Sequence, residues 1–135
     1  MRLQPDAADG TCPVVELASG VDALYMSARP DLSAALLGDL DGWRAAAGGE
    51  DRLEVCLLGE RFRVLPRAWG RYPFCLEHAN GRIGFTDSTK LPAVRVQPLT
   101  EHLHADGPLV ALAWWRDLTE ALTGNGYLTA SRLDL

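Results

Sequence analysis

Residues 53–65 read LEVCLLGERFRVL, and this stretch decides the fold. It contains two runs, 53–58 and 61–65, in which apolar and polar residues alternate, as they do in strands with one buried face. Gly59-Glu60 between the runs suits a two-residue type II′ turn, because glycine tolerates the positive φ that this turn requires. The stretch therefore predicts an antiparallel hairpin.

A second hairpin is predicted directly after the first. Residues 72–86 read YPFCLEHANGRIGFT, in which Asn80-Gly81 separates a run at 72–77 from a run at 82–86. An Asn-Gly pair between two such runs is one of the strongest short-range signals for a β-hairpin. Together the two hairpins predict an antiparallel meander.

One face of this meander should carry arginines. Phe62 and Val64 point to one face of their strand, and Arg61 and Arg63 point to the other. Residues 61–95 contain seven basic residues and only two acidic ones, although the net charge of the whole chain is −5. Such a local basic excess indicates a polyanion-binding face; arginines that only solvate the outside of a sheet are the alternative.

Helical patterns flank the meander on both sides. A strand at Val21–Ala28 precedes Asp31, the expected N-cap of a helix that ends at Gly48-Gly49. A second helix should run from Asp106-Gly107-Pro108 to Gly124-Asn125-Gly126. Apolar residues recur at helical spacing and should face the core: Leu32, Leu36, Leu40, Trp43 and Ala47 in the first helix, and Leu109, Leu112, Trp115, Leu118 and Leu122 in the second.

The order of these elements predicts the fold class. Further strands are expected at Ala93–Gln97 and Tyr127–Leu135. We predict an α+β fold, with a mostly antiparallel sheet of roughly five to seven strands and two helices packed on one face. Residues 1–20, rich in Asp, Ala, Gly and Pro, are expected to form a flexible N-terminal arm, and residues 21–135 a single domain.

With 47% hydrophobic and 23% charged residues, the chain is expected to be folded and globular rather than disordered. Cys12, Cys56 and Cys75 have no paired spacing, so we expect no disulfide framework and a reducing compartment. Cys56 and Cys75 lie in apolar runs and are expected to be buried. We find no signal peptide and no run of about 20 apolar residues, and we expect a cytoplasmic protein that does not associate with membranes.

Aromatic and cationic residues occur together in the loop between the two hairpins. Trp69 lies between Arg67 and Arg71 and is expected to be exposed, whereas Trp43 and Trp115 belong to the helical core stripes. An exposed ring between arginines suits single-stranded nucleic acid, because the ring can stack on bases while the cations contact phosphates. The candidate DNA-binding residues are therefore Arg61, Arg63, Arg67, Trp69 and Arg71.

The C-terminal strand carries a second candidate site. Arg132 and Asp134 are two residues apart, so both side chains should point to one face of the sheet. An arginine there can bind a phosphate, and a carboxylate can hold a divalent metal. Arg132 and Asp134 are therefore candidate catalytic residues, with Asp134 as a candidate metal ligand. A cross-strand ion pair, or two exposed charges on an edge strand, is the alternative.

The histidines and the tyrosines could also carry chemistry. His102 and His104 would converge on a metal if they lay on a strand, but the residues around them are typical of the approach to a helix, which favours a solvent-exposed pair. Tyr25, Tyr72 and Tyr127 are candidate nucleophiles for phosphoryl transfer. Each lies in an apolar strand, which favours a structural role for all three.

The motifs from residue 20 onward resemble the N-terminal half of replication initiation factors of the plasmid and phage Rep-trans class. They are GVDALY at 20–25, LPAVRVQ at 91–97, EHLHADGP at 101–108 and ASRLDL at 130–135. In that family a first strand leads into a helix. A Val-x-Val-Gln strand and a helix start then precede a Ser-Arg-x-Asp-Leu strand.

The resemblance implies a DNA-binding domain. Members of the family are rolling-circle initiators, which bind an origin and nick one strand through a tyrosine, with a divalent metal. The family strand continues past the position of Leu135 to a further Asp, and the nucleophilic tyrosine lies in the half that follows. We therefore expect this chain to bind DNA but not to nick it alone.

The expected partners are DNA and a complementing chain or second copy, and a divalent metal is expected only with the complementing half. An alternative function is a protein-interaction module that pairs through an exposed sheet edge and has no nucleic-acid role.

Overall fold

The computed structural model describes residues 23–49, 53–124 and 128–134. Within these ranges the chain forms seven strands and three helices. The strands are β1 (Ala23–Ala28), β2 (Leu53–Leu57), β3 (Glu60–Leu65), β4 (Phe74–His78), β5 (Gly81–Phe85), β6 (Val94–Pro98) and β7 (Thr129–Asp134). The helices are α1 (Ala34–Gly48), α2 (Thr100–Asp106) and α3 (Pro108–Thr123). The predicted arm at 1–20, and the outermost residues of the first and last predicted strands, lie outside the described residues.

All seven strands belong to one antiparallel sheet, in the order β2-β3-β4-β5-β6-β1-β7. The predicted α+β class and antiparallel sheet are confirmed. The predicted number of helices is wrong, because α2 precedes α3 as a separate short helix. No helix among the described residues has the length and hydropathy of a membrane span.

The hydrophobic core lies between the helices and one face of the sheet. Its central row is formed by residues that are paired in register across five strands, and all of them are buried: Val64, Leu76, Ile83, Val96 and Met26. The helices cover this row with buried side chains of their own: Leu36, Leu40 and Ala47 from α1, Leu103 from α2, and Ala111, Trp115 and Leu118 from α3. Each large apolar side chain buried here contributes about 1.5–3 kcal/mol relative to an exposed position.

Helix α1 starts later than the sequence pattern predicts. Its N-cap is Ser33 and not Asp31, because the Ser33 hydroxyl accepts a hydrogen bond from the backbone N–H of Leu36 at 3.0 Å. The helix ends at Gly48, and the N–H of Gly49 bonds to the carbonyls of the last turn. The predicted C-terminus is therefore confirmed.

Helices α2 and α3 meet at Gly107, which has a φ of 86°. The predicted N-cap, Asp106, is the last residue of α2, and Pro108 is the first residue of α3, where its missing N–H costs no hydrogen bond. The prediction that Leu109 is buried is wrong, since it is 55% exposed and Ala111 faces the core instead. Because α2 begins after Leu99 without a side-chain cap, the sequence carries no capping signal for it.

Both hairpin turns lie one residue earlier than predicted. Leu57 pairs with Glu60, so the first turn is Leu58-Gly59, and both residues have positive φ (56° and 78°), as a type I′ turn requires. In the second hairpin His78 pairs with Gly81, so the turn is Ala79-Asn80.

The left-handed conformation of Leu58 gives a stability prediction. A residue with a Cβ in this region costs roughly 1–2 kcal/mol, and Leu58 is 63% exposed and contributes nothing to the core. Leu58→Asn should therefore raise the free energy of unfolding by about 1 kcal/mol, because asparagine tolerates this conformation and Asn-Gly favours the type I′ turn. Urea unfolding of the variant beside the parent checks this, and an unchanged or lower midpoint would contradict it.

Candidate nucleic-acid interface

The second face of the sheet carries polar and aromatic side chains. Residues in direct register lie on the same face, and here they form two rows: Arg63, Glu77, Arg82 and Gln97 in one, and Cys75, Gly84, Arg95 and Ser27 in the other. The buried residues of the three helices belong to the cluster on the opposite face. We call this second face, with Arg61 and Tyr25 included, the open face.

A small hairpin from the β3–β4 connection lies on the open face. The backbone groups of Trp69 and Tyr72 exchange two hydrogen bonds of 2.8 and 2.9 Å, and Gly70 provides the positive φ (59°) of the turn between them. We call residues 69–72 the Trp69 hairpin. A Cβ at Gly84 would lie 2.9 Å from Cε3 of Trp69 and 3.0 Å from Cβ of Tyr72. The bare backbone of Gly84 therefore allows the hairpin to lie against the sheet.

Tyr72 anchors this hairpin. Its hydroxyl donates a hydrogen bond of 2.9 Å to the carbonyl of Pro92, and the residue is buried. Burial raises the pKa of Tyr72, and the positive charges of Arg95 and Arg29 lower it by less. A protonated hydroxyl that is already used as a donor is a poor nucleophile, which agrees with a structural role for Tyr72.

Two arginines from neighbouring strands stack on Trp69. The Cζ atom of Arg82 lies 4.2 Å from the ring centroid, and that of Arg95 lies 4.9 Å from it. Arg95 also lies 4.6 Å from the centroid of Tyr25. Cations within about 6 Å of an aromatic face are attracted to it, so these residues form one continuous aromatic–arginine layer.

Hydrogen bonds fix the orientation of Arg82. Its Nε donates to Oε1 of Gln97 at 3.0 Å, and Nε2 of Gln97 donates to the hydroxyl of Tyr25 at 3.2 Å. Because a guanidinium only donates, the amide oxygen of Gln97 must face Arg82. Among the described residues no carboxylate pairs with Arg82 or Arg95. Their charge is therefore available to an anion.

The arginines predicted from the sequence differ from one another in their surroundings. Arg61 and Arg63 lie on the open face, but each is near a glutamate: Arg61 at 3.8 Å from Glu54, and Arg63 at 3.6 Å from Glu77. Such exposed pairs contribute roughly 0–1 kcal/mol and exchange partners easily. Arg67 and Arg71 are exposed on the same connection as Trp69.

Trp69 itself is partly buried rather than freely exposed, because it packs on the sheet. The prediction missed Arg82 and Arg95 as partners of this ring. Strand alternation at 81–86 could have placed Arg82 on the same outward face as Arg61 and Arg63.

A shallow concavity of about 470 Å³ lies beside the aromatic–arginine layer. Its lining consists of Glu77, His78, Gly81, Arg82, Gln97 and Leu99. The His78 side chain itself lies on the helix face of the sheet, 5.0 Å from the Phe62 ring and 4.7 Å from the Trp114 ring. Its Nδ1 accepts the N–H of Asn80 at 3.0 Å and its Nε2 lies 2.7 Å from Oε1 of Glu60. A backbone N–H always donates, so Nε2 carries the ring proton and donates to Glu60.

The second predicted site lies at the edge of the sheet. Strand β7 pairs with β1, with Arg132 opposite Tyr25 and Asp134 opposite Ala23. The structure describes β7 by its backbone pairing, and the side chains of Arg132 and Asp134 lie outside what it describes. Their assignment as catalytic and metal-binding residues therefore stays a prediction.

The two histidines do not form a pair. His102 and His104 lie on α2, where residues two apart point in different directions. His102 is buried beside Trp114 and His104 is exposed, so the prediction of a solvent-exposed pair is wrong for His102. Among the described residues no three His, Cys, Asp or Glu side chains converge as a metal site.

The two described cysteines differ, and thiol labelling should distinguish them. Cys56 is exposed, contrary to the prediction. Cys75 is buried on the open face, where it pairs in register with Gly84 beside the Trp69 hairpin. Burial raises the pKa of Cys75 to about 12. Folding therefore favours the protonated thiol of Cys75. The free energy of unfolding should fall as the pH rises above about 8.5, because the thiol then ionises in the unfolded chain but not in the folded one.

In native protein near pH 8, Cys56→Ala should remove one fast-reacting thiol and Cys75→Ala should remove none. After unfolding in urea, both variants should show the same number of reactive thiols. Rapid native labelling at Cys75 would contradict the described burial.

No protein-family model matches the chain, and comparison with curated proteins and with solved structures likewise gives no match. The resemblance to replication initiators therefore depends on short sequence motifs alone.

Proposed function

We propose that this protein is a DNA-binding domain, of the kind that replication initiators of the rolling-circle class contain, and that it binds single-stranded DNA on the open face. The observation that carries the proposal is the stacking of Arg82 and Arg95 on Trp69, on the sheet face opposite the helices. Aromatic rings that stack with bases and arginines that contact phosphates are the two components of single-strand binding surfaces.

The electrostatics of the open face support this proposal. Both glutamates of the face are engaged by Arg61 and Arg63, while Arg82 and Arg95 pair with no described carboxylate. Exposed Arg67 and Arg71 extend the positive surface along the connection that carries Trp69. A polyanion can therefore bind here although the chain as a whole is acidic.

Single-stranded DNA fits this face better than a duplex. The layer lies on the face of a seven-stranded sheet, whereas B-DNA is read by an element that enters a groove. In a duplex the faces of the bases are stacked on one another and cannot reach Trp69 or Tyr25. Unpaired bases present these faces.

Fluorescence anisotropy with labelled mixed-sequence oligonucleotides tests the proposal. Single strands of about 16 nucleotides should bind more tightly than the corresponding duplex, and the affinity should fall steeply between about 50 and 200 mM salt. Arg82→Ala and Arg95→Ala should each reduce the slope of log K against log salt by about 0.7.

Arg116→Ala is the matched control, because Arg116 is an exposed arginine on α3, away from the open face. It should leave the salt slope unchanged. Absence of binding at the lowest salt, or equal effects of the three arginine substitutions, would refute the proposal.

The position of β7 favours a second candidate function. Within the described residues β7 pairs only with β1, so its other edge presents backbone groups that a strand of a partner can bind. If this is the function, the protein should form a dimer or a complex with a partner protein through this edge and should not bind DNA. Gel filtration with and without oligonucleotide separates the two functions.

A further inference from the structure

The concavity beside the aromatic–arginine layer contains a hydrogen-bond donor and a hydrogen-bond acceptor next to each other. Glu77 and Arg82 are paired in register across β4 and β5, and both line the concavity of about 470 Å³. They do not neutralise each other: the ion pair of Glu77 is with Arg63, at 3.6 Å. A carboxylate and a guanidinium are thus presented together to the same space.

Each of the two groups keeps hydrogen-bonding capacity for a ligand. Nε of Arg82 is used by Gln97, which leaves the terminal amino groups of the guanidinium, and these are the atoms that bind two acceptors at once. The Glu77 carboxylate has a single long contact and its side chain is 42% exposed. It can therefore turn toward a ligand and accept two hydrogen bonds.

We infer that this concavity binds one guanine base of the single strand, with Glu77 and Arg82 as the residues that determine base specificity. This inference rests on the proposed function. Guanine carries two neighbouring donors, N1–H and the N2 amino group, which match a carboxylate. Its neighbouring acceptors, O6 and N7, match the terminal amino groups of an arginine.

The other bases fit this pair of groups less well. Adenine, cytosine and thymine each lack two neighbouring donors on one edge, so the Glu77 carboxylate would accept at most one hydrogen bond from them and would repel their ring acceptors. Arg82 alone does not discriminate strongly, because other bases also offer acceptors. The carboxylate therefore provides most of the selectivity.

The aromatic–arginine layer next to the concavity would hold the nucleotide that adjoins this guanine. Arg82 belongs to both structures, since it stacks on Trp69 at 4.2 Å and lines the concavity. A strand with one base on Trp69 can therefore place the next base against Glu77 and Arg82. The predicted recognition unit is a guanine within any sequence and not a longer motif.

Oligothymidines with one central guanine, adenine, cytosine, inosine or 7-deazaguanine test the inference by fluorescence anisotropy. Guanine should bind about tenfold more tightly than adenine, cytosine or thymine at that position. Inosine, which lacks the N2 amino group, should lose a large part of this preference. 7-Deazaguanine, which keeps both donors for Glu77 and lacks only N7, should lose a smaller part.

Two glutamate variants provide the matched comparison. Glu77→Gln should abolish the guanine preference while the affinity for plain oligothymidine is kept or increased. Glu54→Gln removes a carboxylate of the same sheet face outside the concavity, and it should keep the preference. Thermal unfolding of both variants confirms that they are folded.

The outcomes separate this inference from the proposed function. Equal binding of these five oligonucleotides and plain oligothymidine would overturn the guanine site and leave single-strand binding in place. A guanine preference that survives Glu77→Gln would overturn the assignment of Glu77. If no oligonucleotide binds, both the guanine site and the proposed function are wrong.

Discussion

Trp69→Ala should weaken binding of single-stranded DNA by roughly tenfold or more, the largest effect expected of any single substitution on the open face. A base stacked on an aromatic ring contributes about 1–3 kcal/mol. The substitution also removes the ring on which Arg82 and Arg95 stack at 4.2 and 4.9 Å, so each cation loses one contact: Arg82 keeps its hydrogen bond to Gln97, and Arg95 keeps the Tyr25 ring. The measurement is fluorescence anisotropy at fixed low salt.

Trp69→Phe is the matched variant for this experiment. Phenylalanine keeps a flat ring at the same position and should recover most of the affinity, whereas a surface that binds through charge alone would respond to neither substitution. The melting temperature of each variant shows whether the sheet is intact. Full affinity in a folded Trp69→Ala variant would contradict the stacking role.

Gly81→Ala should cause the largest loss of stability of any glycine substitution in the described residues. Gly81 has a φ of 147°, and a Cβ there would collide with the carbonyl of Gln97, with Cα of Pro98 and with the Trp115 ring at 2.9 Å. Strained backbone and overpacking each cost about 1–3 kcal/mol. We expect the free energy of unfolding to fall by about 3 kcal/mol or more.

Gly38→Ala is the control for this prediction. Gly38 is exposed in the interior of α1, and a Cβ there meets no atom within 4 Å. Alanine should stabilise the helix by up to about 1 kcal/mol. Urea unfolding of both variants gives the comparison, and a Gly81→Ala variant as stable as the parent would contradict the packing of β5 against β6 and α3.

Local patterns in the sequence predicted most of the sheet. Alternation in 53–65 and 72–86 identified β2 to β5, and glycine and proline marked the ends of the two long helices. The predicted turns lie one residue too late, because the choice between Leu58-Gly59 and Gly59-Glu60 depends on strand register. Register is set by which side chains are buried across the whole sheet, and a single hairpin does not contain that information.

The elements without a local signal were missed. Helix α2 has no side-chain cap and follows β6 almost directly, so its residues read as the approach to the next helix. Ala111 is buried instead of Leu109, and it lies four residues before the buried Trp115 on the same side of α3. The larger apolar side chain of Leu109 therefore misled the prediction, although helical spacing is compatible with a core position for Ala111.

The candidate site was predicted in its composition and not in its geometry. The sequence identified Trp69 and the basic excess of 61–95, because these are local. Which arginines stack on the ring depends on Gly84, where the missing side chain makes room for the Trp69 hairpin. A contact between residues 69, 82, 84 and 95 requires the register of three strands, so it could be found only in the folded structure.

The most direct test of the central claim is an amide NMR titration of the whole chain with a single-stranded oligonucleotide. If the open face binds DNA, the largest shift changes should map to Trp69, Arg82, Arg95 and Gln97, and the signals of α1 and α3 should remain in place. Changes confined to the helices or to the edge strand β7, or no changes at all with excess oligonucleotide, would contradict the proposed binding face.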